Sequence, residues 1–176
     1  MLVLSVVAVL VVILVVVIVT RPEDFSITRN ATMSVTPQEV FPQVNDLHNW
    51  EGWSPWAKLD PNMKMTFAGP EAGTGAAYTW TGNSKVGEGR MTIVESRPSE
   101  LVRIKLEFMK PFTASNASEF TFQPQGNQTT VTWSMTGKRN FMTKAMSLVM
   151  SMEKMLGGQF EKGLAQMKAI VEARKK

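Results

Sequence analysis

The chain has no cysteine, and only one histidine and one tyrosine among its 176 residues. The first absence excludes disulfides, thiolate metal sites and thiol catalysis. The second leaves His48 alone to carry a Ser-His-Asp relay. Zero cysteine fits every redox compartment and therefore locates nothing. Charge is sparse as well: Asp, Glu, Lys and Arg make up 19% of the residues, and none comes before Arg21. Mean hydropathy of −0.06 averages two materials. Eighteen of the first twenty residues are apolar, whereas the remainder has the composition of an ordinary soluble domain. The length suits one domain with a real core and is too short for two.

Only Ser5 interrupts the apolar run from Met1 to Val19. At about 1.5 Å per residue a helix of that length approaches the thickness of a bilayer core. Residues 1–20 are therefore expected to form a single transmembrane anchor, 21–24 a short connector, and 25–176 one domain. A cleaved signal peptide is the rival, but no Lys or Arg precedes the run and Ile18-Val19-Thr20 offers no small-residue cleavage site. The expected location is the cell membrane. Arg21 and Arg29 follow the span and favour a cytoplasmic domain, yet a domain trailing an extreme N-terminal anchor is commonly exported, and the extracytoplasmic side is preferred.

Alternation of apolar and polar residues predicts strands at 25–33, 63–69, 75–82, 86–97, 101–109, 115–123 and 129–136. The clearest is 101–109, with Val102, Ile104, Leu106 and Phe108 on one face and Arg103, Lys105 and Glu107 on the other. Such alternation predicts an antiparallel sheet, wet on one face. Thr36-Pro37-Gln38-Glu39 starts a brief helix, ended by the tryptophan-rich stretch 50–56, which reads as irregular and partly buried. Residues 140–176 have apolar residues three or four apart from Phe141 to Val171 and predict one long helix. Gly157-Gly158 is expected to kink or loosen it. The fold class is α+β.

That order resembles the START/SRPBCC superfamily, and most closely its polyketide cyclase/dehydrase group. The residues carrying the resemblance are Ile27-Thr28-Arg29, Pro37-x-Glu39-Val40-Phe41, and Trp50-x-x-Trp53-Ser54-Pro55-Trp56-x-x-x-Asp60-Pro61. Gly87-x-Gly89 leading into Met91-x-Ile93 follows, then Thr130-Val131-Thr132-Trp133. The resemblance implies a helix-grip fold, a curved sheet of about seven strands wrapped around a long C-terminal helix, with a cavity between them for a hydrophobic ligand. It implies no reaction, because function resides in sites rather than folds.

Chemistry-bearing constellations are few. Asp46, His48 and Glu51 read as a solvated polar turn rather than a metal or catalytic set. Tyr78 reads as a cavity-wall residue with its hydroxyl paired. Gly73-Thr74-Gly75 and Gly87-Glu88-Gly89 do not lead from a strand into a helix, as a dinucleotide loop must. The sequence pI is about 9.5, but the basic residues are scattered and no basic stripe suits nucleic acid. Glu88, Glu95, Glu107 and Glu119 fall opposite the apolar positions and should face water. Methionine is the unusual feature, with five between Met142 and Met155. Either a plastic, ligand-accepting interior or a plain core accounts for it.

The candidate cavity residues on strands are Tyr78, Trp80, Met91, Ile93, Leu106, Phe108, Ser118, Phe120, Phe122, Trp133 and Met135. Those on the C-terminal helix are Met146, Val149 and Met150. Tyr78 or Ser118 is expected to hold the ligand's polar end. No catalytic residue, metal or cofactor is assigned. The expected function is a membrane-tethered binding module for a lipid-like or other hydrophobic small molecule. The alternatives are a cyclase/dehydratase-like enzyme and a protein-interaction module without ligand.

Overall fold

The computed structural model describes residues 2–148 and 151–174. It opens with α1 (Leu2–Val19), eighteen residues without a charge. The helix rises roughly 27 Å, less than the ~30 Å of a bilayer core. Among the described residues no helix is long and apolar enough to cross a membrane. The expected span over 1–20 is an apolar helix, of whose described side chains only Ile18 is buried.

Seven strands follow: β1 (Asp24–Met33), β2 (Lys64–Ala68), β3 (Ala77–Thr81), β4 (Glu88–Arg97), β5 (Leu101–Lys110), β6 (Ala114–Gln125) and β7 (Gln128–Lys138). They form one sheet in the order β1-β7-β6-β5-β4-β3-β2, with every neighbouring pair antiparallel. The covered face is set by alternation. Ile93 on β4 opposes Ile104 on β5, and Phe120 on β6 opposes Trp133 on β7. The outer face carries ion pairs, with Arg103 bonded to Glu95 and Glu119 at 2.6 Å each and Lys105 bonded to Glu107.

Between β1 and β2 the chain forms α2 (Pro37–Val40), α3 (Pro42–Asn45), a 3-10 turn (Leu47–Asn49) and α4 (Trp50–Trp53). Thr36 starts the series by donating its N–H and hydroxyl to Glu39. Pro42 lacks the N–H needed to carry α2 onward, so the expected single helix is two short turns. The tryptophan stretch is helical at its start and buries Trp50 and Trp53. Their indole N–H groups donate to the Val44 and Gln43 carbonyls at 3.0 and 2.8 Å, which fixes these turns beneath the sheet.

The expected C-terminal helix is two: α5 (Phe141–Met146) and α6 (Met152–Ala173). Capping side chains explain the break, because they offer backbone groups an alternative to the helix ladder. Asn140 caps α5 by accepting from Thr143 N, Ser147 donates back to the Lys144 carbonyl, and Ser151 caps α6. Gly157-Gly158 does not interrupt α6. A Cβ at Gly157 would overlap the guanidinium of Arg29, which crosses the helix there to reach Glu153 at 2.5 Å and Glu161 at 2.6 Å. The glycine is a seat for that arginine.

α6 lies along β1 and fills the core with Phe160, Leu164, Met167 and Val171. The Phe160 ring stacks on Trp133 at 4.0 Å and 5°, and Trp133 stacks in turn on Phe120 at 4.8 Å. Gly163 permits this approach: a Cβ there would sit 2.9 Å from the Trp133 ring and 3.2 Å from Pro55. Farther along, Lys168 Nζ donates to the Thr32 carbonyl at 2.8 Å and Glu172 accepts from Ser34 N at 2.7 Å.

Candidate functional site

Between the sheet and the start of α6 lies a cavity of about 340 Å3, within the range of small-molecule sites. Its strand wall is Tyr78, Trp80, Met91, Leu106, Phe108, Trp133 and Met135, with Phe25 at one end. Met63, Met65 and Phe67 close the β2 side, and Met155 and Leu156 come from the first turn of α6. Trp80 reaches its place because β4 has glycine opposite it. A Cβ at Gly89 would overlap the indole, whose N–H donates to the Val86 carbonyl at 3.0 Å.

Eight of the expected residues therefore come together here: Tyr78, Trp80, Met91, Leu106, Phe108, Ser118, Trp133 and Met135. Ile93, Phe120 and Phe122 do not line the cavity. They belong to the core, where Phe122 meets Phe41 and Phe120 meets Trp50 and Trp53. The helical turns before β2 cover the strands at that end. Met146 is exposed on α5 and also off the cavity. Val149 and Met150 lie outside the described residues.

Two expectations about polar groups are corrected. Ser118 lines the cavity, but its hydroxyl accepts from Trp133 Nε1 at 2.9 Å and donates to the Ser134 carbonyl at 3.2 Å. It serves the wall. Tyr78 was expected to have its hydroxyl paired, yet no hydrogen bond to it occurs among the described residues, and burial pushes the phenol up. Two cavity residues do have unused capacity. Asn116 Oδ1 and Arg139 Nε are buried without a partner among the described residues. Neither was anticipated, because both stand at strand ends where alternation carries little signal.

His48 is not simply solvated. Its ring stacks on Phe67 at 3.9 Å, with Nδ1 2.8 Å from Asp46 Oδ1. His48 and Phe67 both line this cavity and also border a second, more polar cavity of about 380 Å3 beside Glu71. Among the described residues no group of three His, Asp or Glu side chains is placed to hold a metal ion.

The model of one protein family, polyketide cyclase/dehydrase and lipid transport, matches residues 24–172. The chain belongs to that family. Solved structures agree on the fold. A protein from Chromobacterium violaceum is 15% identical with a TM-score of 0.60, over 84% of this chain and 96% of its own. One from Mesorhizobium loti is 13% identical with a TM-score of 0.62, over 86% and 99%. A protein of the dynemicin biosynthetic locus is 12% identical with a TM-score of 0.57, over 84% of this chain and 47% of its own. At such identities the likeness concerns fold alone. No curated protein matches the chain significantly. In this chain the cavity wall is aromatic and methionine-rich, with polar groups at its ends.

Proposed function

We propose that this family member binds a lipid-like or other hydrophobic small molecule in the sheet–helix cavity and is tethered to a cell membrane through α1. The cavity itself carries the reading. Its middle is lined by Tyr78, Trp80, Met91, Leu106 and Phe108, where each buried methylene contributes roughly 0.8 kcal/mol. Asn116 and Arg139 supply the unpaired polar capacity that a ligand head group needs. The tether rests on an uncharged helix whose valine and leucine side chains lie exposed. A span a few ångströms short is accommodated by local thinning of the bilayer, and the domain is assigned to the extracytoplasmic side.

Native mass spectrometry of the full chain released from lipid extract tests the binding. A retained adduct of lipid mass is expected, and it should vanish in Leu106→Trp, which fills the cavity. A folded wild-type chain that never carries an adduct overturns the reading.

A second reading has its own observation. His48, at the cavity wall, is held by Asp46 from behind in the geometry of an oriented general base, which suits a cyclase or dehydratase. If His48→Ala retains the adduct but loses the cellular activity, catalysis is supported. If function survives His48→Ala and is lost in Leu106→Trp, binding alone suffices.

A further inference from the structure

Outside α1, most of the large apolar side chains exposed among the described residues lie on three segments. Phe112 lies in the β5–β6 turn, Phe141, Met142 and Met146 on α5, and Met155 at the start of α6; each is more than 40% exposed. Phe112 and Met155 line the cavity together with Thr143 of α5, so these segments frame one mouth. α5 also packs on α1, and Lys144 of α5 donates to the carbonyl of Val19, the last residue of α1. Of the cations beside the patch, Arg139 donates to the Pro22 and Asp24 carbonyls and lies over the Phe25 ring, while Lys138 stands opposite Asp24 in the β1–β7 ladder. Lys138, Arg139 and Lys144 form no ion pair among the described residues, and Arg21 adds a fourth charge against Glu23 and Asp24 on the connector.

We infer that this mouth rests on an anionic bilayer surface, with Phe112, Phe141, Met142 and Met146 entering the acyl boundary, so that the cavity exchanges its ligand directly with the membrane. Two observations commit the face to lipid. It is continuous with the apolar helix that the proposed function places in the membrane, a reading on which this inference rests. Its apolar side chains are also flanked by four basic residues against two acidic ones, a net positive rim of the kind that holds interfacial elements on anionic lipid. Exposed patches of this kind mark contact surfaces.

Because the chain has no cysteine, a single introduced thiol labels one place only. Phe112→Cys, Met142→Cys and, on the outer face of β4, Val94→Cys each receive a fluorophore. The full chain is then mixed with vesicles containing anionic lipid and acyl chains brominated near the head group. The labels at 112 and 142 should lose emission while the label at 94 keeps it. Lys138→Glu/Lys144→Glu should restore emission at 112 while the chain still pellets with the vesicles. Pelleting without quenching at 112 and 142 overturns the docking face and leaves the tether standing. A chain that stays out of the pellet overturns both. Energy transfer between labels at 112 on different molecules, in place of quenching by bromolipid, assigns the face to a second copy and also overturns the inference.

Discussion

Replacing Phe160 by alanine removes the residue through which α6 grips the sheet. The side chain is fully buried and lies 4.0 Å from Trp133 with the two rings nearly parallel. Truncations of buried phenylalanine cost about 3–5 kcal/mol, including the cavity left behind, and the lost stack belongs at the upper part of that range. Against a total stability of about 5–15 kcal/mol, this is a third or more. For a domain of this size each kcal/mol shifts Tm by about 2–4 °C, so a fall on the order of 10 °C is expected. Phe160→Leu keeps most of the volume and should lose about 1–2 kcal/mol. Guanidinium and thermal unfolding of the full chain in mild detergent, followed by circular dichroism and tryptophan fluorescence, measure both. A loss under about 1 kcal/mol in the alanine variant would show that α6 is not part of the cooperative core and refute the argument.

Tyr78 is the only tyrosine, so absorbance at 295 nm reports its ionisation without ambiguity. Burial raises its folded pKa above the ~10 of the unfolded chain. Stability from this group is therefore constant below about pH 10 and falls above it, with a slope approaching 1.4 kcal/mol per pH unit. No phenolate should appear until the protein unfolds, and Tyr78→Phe should flatten the alkaline decline. Ser118→Ala leaves the buried Trp133 Nε1–H without its acceptor and should cost about 1–3 kcal/mol in denaturant unfolding. Gly157→Leu should leave α6 helical but displace Arg29 from Glu153 and Glu161. Stability should then fall less with added salt than that of the wild type measured alongside, and an equal dependence in the two would count against the clamp.

Strands were legible because alternation is a direct consequence of one wet face and one covered face. All seven lie where the pattern of residues such as Val102, Ile104 and Leu106 places them, with ends moved by a few residues. Helices were less legible. Pro42 split the first and Ser147 with Ser151 divided the last, both by local chemistry that apolar spacing does not register. Gly157 was misread because propensity sees only a missing side chain, while the reason for its absence, Arg29, lies 128 residues earlier in the chain and meets it only after folding. The strand wall of the cavity was legible for the same reason as the strands. Ile93, Phe120 and Phe122 share the parity of Met91, Ser118 and Leu106, and only the placement of α2–α4 over one end of the sheet separates core from cavity. Met65 and Phe67 did carry a usable signal, as cross-strand partners of Trp80 and Tyr78.

The hydrogen bonds that α6 makes to the margin of β1 also protect the protein from its own kind. An open seven-stranded sheet has two outer margins whose free N–H and C=O groups invite a strand from another molecule. At β1 the invitation is withdrawn by side chains: Lys168 occupies the Thr32 carbonyl, Glu172 takes Ser34 N, and the Arg29 guanidinium ties the helix across. The opposite margin, β2, is only five residues long and begins with a lysine. With one margin latched by side chains and the other only five residues long, neither offers a second copy an easy template for strand addition.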